Sequence, residues 1–318
     1  MTPSWHTSVP CPDWPQLLQP ESQVVALGSC FAEHIGQKLL QHGLRGLVNP
    51  FGVIFNPTAL ADLVQRAAEE QFFTSSELVF HQDLYHHPLA HSRCSGPDAQ
   101  QVTDALNQAL RALRQAIQHS SHVFITLGTS WVYRDVQRQL YVANCHKRPA
   151  ADFEKILLTP ADIEAALQKL YPSIQRLQPK ALVVWSISPV RHAKDGLVNN
   201  QRSKARLIGA LHDFLERYPK QNQYFPAYEL LLDELRDYRF YADDMLHPSA
   251  QAVDYIWARL QDCAASPEAL KLFMAMAEVQ RMEAHKPLHR NTDAYRTHQE
   301  RLAQKKAALQ AAFPHLLL

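Results

Sequence analysis

The chain has almost no net charge, no long apolar run and no cysteine spacing of a familiar kind, and each absence excludes a class of protein. Lys plus Arg number 32 against 31 for Asp plus Glu, so no global field draws the chain to nucleic acid or an anionic membrane. A small-molecule partner is expected instead. No stretch approaches the roughly 18 apolar residues of a membrane span. The proline-containing start, residues 1–14, lacks the basic region of a signal peptide. Five cysteines (Cys11, Cys30, Cys94, Cys145, Cys263) are scattered, odd in number and without any C-x-x-C pair. That pattern argues against a zinc knuckle and against a disulfide framework, and it predicts reduced thiols in a soluble, cytoplasmic protein with neither metal nor cofactor.

What is present is a succession of strand-turn-helix signals in a chain of 318 residues, long enough to bury a sizeable α/β core. The first, Val24-Val25-Ala26-Leu27, runs into Gly28-Ser29, after which Phe31, Ile35, Leu39 and Leu40 fall on one helical face. A second buried run, His122 to Leu127, also ends in a glycine, Gly128-Thr129-Ser130. A third, Ala181 to Ile187, exits through Ser188-Pro189-Val190-Arg191-His192. Strands alternating with helices this regularly predict a three-layer α/β/α fold with a mostly parallel sheet, whose carboxyl edge is where such folds bind ligands. Residues 1–20 read as an arm, 21–263 as the α/β domain, and 264–318 as a helical appendage.

Several segments admit more than one reading. A hairpin is expected through Tyr133–Tyr141. In the helix expected over residues 199–218, Arg202, Lys204 and Arg206 read as a solvated face. The histidine cluster His81, His86, His87 and His91 has no carboxylate or cysteine at ligand spacing. In the appendage, Ser266-Pro267-Glu268 starts a helix that Pro287 ends. Tyr295, Leu302 and Leu309 in the next helix stand seven apart, a seam for packing on the core or, in a homo-oligomer, on a second copy.

Chemistry is expected where Ser29 leaves the first strand. A serine attacks a carbonyl if a base takes its proton and donors hold the developing charge. His247 is the candidate base and Asp244, three residues earlier, the candidate orienter, with Asp243 as competitor. The plain alternatives are that Ser29 only caps its helix, and that Cys30 is the reactive group or merely a small core residue.

The run Gly28-Ser29-Cys30-Phe31-Ala32 resembles the signature of GSCFA-domain proteins. The agreement continues through Asn49-Pro50-Phe51-Gly52, His91-Ser92, Gly128-Thr129-Ser130-Trp131, Ala143-Asn144-Cys145-His146-Lys147, Ser188-Pro189-Val190-Arg191-His192, Asp237 to Tyr241, and His247-Pro248-Ser249. That family is similar to the SGNH (GDSL-like) hydrolases, and the resemblance implies a flavodoxin-like, SGNH-type sheet. It also implies Ser29 as nucleophile, His247 as base, Asp244 as orienter and Gly52 as an oxyanion donor. His91, His146 and Arg191 become candidates for substrate binding. Where the superfamily has Gly-x-Asn this chain has Gly128-Thr129-Ser130, so the side-chain donor falls either to Ser130 or to Asn144. The function implied is an ester hydrolase or O-acyltransferase acting through an acyl-serine on a small acylated or carbohydrate-like substrate. The rival is a non-catalytic binding module on the same scaffold.

Overall fold

The computed structural model describes residues 7–285, 289 and 292–316. In chain order the elements are β1 (Gln23–Gly28), α1 (Cys30–Gln41), β2 (Arg45–Val48), α2 (Pro57–Glu69), β3 (Val79–His81), β4 (Leu84–His86), α3 (Ala99–His119), β5 (His122–Leu127), β6 (Trp131–Asp135), β7 (Leu140–Val142), β8 (Phe153–Leu157), α4 (Pro160–Leu177), β9 (Leu182–Ile187), α5 (Leu197–Arg217), β10 (Asn222–Tyr224), α6 (Ala227–Glu229, prolonged by a π-helical turn Leu230–Leu235), α7 (Ala250–Ala264), α8 (Pro267–Ala284) and α9 (Asp293–Ala312).

Five strands form a parallel sheet in the order β10-β9-β5-β1-β2. β5 and β9 are buried along their whole length, which is why they read as unbroken apolar runs: helices cover both faces of a parallel sheet. On one face α2, α3, α4 and α5 pack over Val25, Leu27, Val123, Ile125, Val183 and Trp185. On the other, α1, α7 and α8 pack over Val24, Ala26, Phe124 and Val184. The expected three-layer α/β/α architecture is therefore present. The chain leaves β1 for β2 on one side and then crosses to β5 on the other, so the strand order reverses beside β1, the place where such sheets open a crevice. Ser29 stands at that point.

Local signals set the helix starts. Asn56 accepts from Ala59 N–H at 2.8 Å, Asp98 from Gln101 N–H at 2.7 Å, and Thr159 closes a capping box with Asp162. Each such cap is worth about 1 kcal/mol. The hairpin is present as β6 and β7, but β8 joins it to make a three-stranded antiparallel sheet. β8 was not legible because its residues alternate weakly and pair only after a loop.

Two expectations are corrected. Cys11 and Cys263 form a disulfide with Cα atoms 5.4 Å apart. No spacing pattern could announce it, because the partners are 252 residues apart and meet only when the N-terminal segment folds back along α7. There Leu18 N–H bonds Ala264 O at 2.7 Å and Ser266 N–H bonds Leu18 O at 2.9 Å. Cys30, Cys94 and Cys145 are free thiols. The second correction is Lys204, which is not on a solvated face but fully buried, with Arg206 half-buried and bonded to Leu157 O and Leu158 O. Helical periodicity placed Lys204 on the charged stripe, and only the height of α5 over the strand ends reveals its target.

The appendage packs on its own chain: α8 buries Leu272 and Phe273 in the core that holds Trp257, and Leu302 and Leu309 of α9 are buried in the same cluster. Pro287 lies outside the described residues. No helix among the described residues is long and apolar enough to cross a membrane.

Candidate active site

Ser29 has the backbone of an N-cap residue, φ −67° and ψ 172°, yet its side chain caps nothing. It is 1% exposed and its Oγ has no hydrogen-bond partner. The capping reading therefore does not describe this serine. Its position is set by Gly28, whose φ is +129° and whose α-hydrogen faces Thr126 O so closely that a Cβ would lie 2.2 Å from that oxygen. The next residue along, Cys30, carries a thiol that burial pushes up in pKa, away from thiolate.

The loop before α7 holds the second half of the site. His247 Nδ1 lies 2.6 Å from Asp244 Oδ2, while Asp244 Oδ1 accepts from Leu246 N–H at 2.9 Å and His247 N–H at 3.0 Å. These donors, the His247 backbone N–H first and its ring second, hold the carboxyl down to about 2. An ionised Asp244 puts the imidazole proton on Nδ1 and leaves Nε2 as the free base. Asp243 is exposed, and Asp244 is the carboxylate that reaches the ring. Ala242 N–H to His247 O (2.8 Å) and Arg191 N–H to Leu246 O (3.0 Å) brace the turn. Electrostatically, His247 is within range of His34 on α1 and of His192. Ser29 Oγ and His247 are not hydrogen-bonded to each other.

The expected oxyanion donors are mostly committed elsewhere. Ser29 N–H donates to Thr126 O at 3.1 Å and Gly52 N–H to Asn49 O at 2.8 Å. Ser130 is fully buried, its hydroxyl donating to Ser203 O or Oγ at 3.1 Å, so it ties the exit of β5 to α5. Asn144 accepts from His146 N–H at 2.8 Å through Oδ1 and lines a cleft of about 550 Å³. Phe55, Asn56, Trp131, Tyr133, Phe153 and His192 line the same cleft, and Ser29 is not among its lining residues.

The remaining candidates divide. His91 packs on Gly52 so closely that a Cβ there would meet its own at 2.2 Å, and its Nδ1 accepts from Arg93 N–H. His146 is buried with both ring nitrogens engaged, by Ser92 Oγ at 3.1 Å and His87 O at 3.0 Å, and burial pushes it down to about 4. It is a brace within the loops. Arg191 lies over the Tyr241 ring at 4.0 Å, beside the His247 turn.

Three residues stand out that the sequence reading did not single out as site residues. His192 has an unpartnered buried Nε2, and burial, with Lys204 nearby, pushes its pKa down to about 4. Lys204 donates to Gly128 O and Ser188 O, both at 2.6 Å, clamping the exits of β5 and β9. Asn49 accepts from Gly28 N–H at 2.9 Å and has an unpartnered buried Nδ2. The only sequence signal for His192 and Asn49 was their place in short motifs after strands.

Comparison with known proteins gives a match of the GSCFA family model to residues 23–260. No curated protein matches the chain. Among solved structures, an acetyl xylan esterase from the rumen bacterium Butyrivibrio proteoclasticus is similar over 79% of this chain at 9% identity, with a TM-score of 0.33. The chain spans 64% of that protein's length.

Proposed function

The chain belongs to the GSCFA family, and on that footing we propose that it is a serine-dependent ester hydrolase or O-acyltransferase. The observation that carries this reading is the Ser29 hydroxyl, buried without a hydrogen-bond partner at the reversal point of the sheet. A buried hydroxyl left unpaired costs about 1–3 kcal/mol, and a group kept free for a reaction is one explanation for such a cost. The Asp244–His247 pair supports it, because a carboxylate 2.6 Å from Nδ1 is placed to orient the ring and steady its charged form.

In this reading Ser29 Oγ adds to the ester carbonyl carbon, the C=O pair moves onto oxygen, and the hydroxyl proton passes to His247 Nε2. Asp244 steadies the imidazolium. Collapse breaks the bond to the leaving alkoxide, which takes the proton from His247, and water or an acceptor alcohol repeats the sequence on the acyl-serine. The aromatic and amide lining of the neighbouring cleft, with Phe55 next to Ile54 whose N–H bonds Gly28 O at 2.9 Å, fits an acylated, sugar-like molecule seated beside the serine.

A fluorophosphonate probe tests this. Labelling of the wild type that disappears in Ser29→Ala and persists in Cys30→Ser is the expected result. A protein that ignores the probe while binding oligosaccharides in its cleft would instead be the non-catalytic module, a reading favoured by the committed N–H groups of Ser29 and Gly52.

A further inference from the structure

We propose that the side-chain amide of Asn49 is the donor that holds the oxyanion, the role the sequence pattern left between Ser130 and Asn144. This inference rests on the acyl-serine reading above. Asn49 follows β2 and has φ +40° immediately before Pro50, where the proline ring disfavours most helical-type backbone. A residue held in such a conformation persists only when its surroundings over-determine it, and such residues concentrate at functional sites. Here the bonds are all visible. Asn49 N–H donates to Ala26 O at 2.9 Å, Asn49 O accepts from Gly52 N–H and from Arg93 Nη2 at 2.8 Å each, and Oδ1 accepts from Gly28 N–H at 2.9 Å. Arg93 is in turn anchored to Glu33 on α1 at 2.8 Å.

Every polar group of Asn49 is thus engaged except Nδ2, which is buried and unpartnered in a residue only 2% exposed. The bond from Gly28 N–H settles which end of the amide is which, since an N–H needs an acceptor opposite it. Gly28 immediately precedes Ser29, whose Oγ is the other unpartnered buried atom on this strand end. A nucleophile without a partner and an amide donor without an acceptor therefore flank a single glycine. An oxyanion formed on Ser29 is the acceptor that this donor lacks. The amide moves no proton; it only stabilises the negative oxygen that appears when Oγ adds to the carbonyl carbon, until the C–O bond to the leaving group breaks.

Asn49→Asp removes the donor while keeping the size, the tolerance of positive φ and the acceptor for Gly28 N–H, and it adds a negative charge that the neutral Asn49→Gly lacks. With p-nitrophenyl acetate as the probe, kcat per folded protein is expected to fall about 10²–10³-fold with KM changed less than about threefold. Asn49→Gly, which accepts the backbone conformation without strain, is expected to lose kcat to a similar extent when turnover is normalised to folded protein by near-UV circular dichroism. Wild-type kcat in either folded variant, alongside a dead Ser29→Ala, overturns the Asn49 assignment and leaves the serine mechanism standing. Turnover in Ser29→Ala equal to wild type overturns the serine mechanism instead, whatever the Asn49 variants do.

Discussion

A methyl group added at Gly28 should damage the protein in a way that the same methyl added at Gly209 should not. The Gly28 backbone, at φ +129°, is open essentially to glycine alone, and forcing an alanine into it costs about 1–3 kcal/mol. Its Cβ would lie 2.2 Å from Thr126 O, which is backbone in the neighbouring strand and cannot swing aside. β1 must therefore shift from β5, disturbing the 3.1 Å bond from Ser29 N–H to Thr126 O and the 2.9 Å bond from Gly28 N–H to Asn49 Oδ1. At about 1 kcal/mol for each bond, the total is roughly 3–5 kcal/mol. At about 2–4 °C per kcal/mol, the melting temperature should fall by roughly 6–20 °C. Gly209 lies inside α5, where an added methyl would have nothing within 4 Å and φ is not positive, so alanine there should stabilise by about 0.5–1 kcal/mol. Urea unfolding of the two variants beside wild type reads both shifts. Midpoints that move in the same direction, or a Gly28→Ala midpoint equal to wild type, would refute the close-approach argument.

Ser130→Ala removes a hydroxyl that ties β5 to α5 and should cost about 1 kcal/mol of stability with kcat changed only a few-fold; Asn144→Ala, on the cleft wall, should raise KM more than it lowers kcat. Steady-state kinetics that showed Ser130→Ala inactive but as stable as wild type would restore the hydroxyl as a reacting-site donor. Stability should also fall with acid from about pH 6.5 downward, where the unfolded chain's histidines begin to bind protons. Burial pushes His122, His146 and His192 down to about 4 and His87 to about 3. A histidine with a depressed folded pKa is neutral in the fold while the unfolded chain, with a pKa near 6.5, already binds a proton. Stability is therefore full above pH 6.5 and is lost between 6.5 and about 4, on the order of 1–3 kcal/mol per histidine. Urea midpoints that stayed level from pH 7 to pH 4.5 would contradict this.

The residue types and their order determined the layers. Apolar runs of strand length ending in glycine, separated by amphipathic helices, permit little but a parallel sheet covered on both faces, because runs such as His122–Leu127 can satisfy neither face with water. The sequence also offered Asp244 as the partner of His247, since a carboxylate three residues before a histidine can reach its ring within one turn, but the choice over Asp243 was made by the folded turn, which Arg191 N–H braces through Leu246 O. What depended on distance along the chain was decided only in three dimensions. The Cys11–Cys263 bond joins the arm to α7 across nearly the whole sequence. Lys204 looked like a surface charge until α5 crossed the strand exits and set two carbonyls against its ammonium. Whether a hydroxyl or an amide is free or engaged is a property of its neighbours, not of its letter. Ser130 and Asn49 both stand in short motifs after strands, and only the packed chain shows the hydroxyl of the first bonded into α5 and the amide of the second holding Gly28 N–H by its oxygen with its nitrogen left without an acceptor.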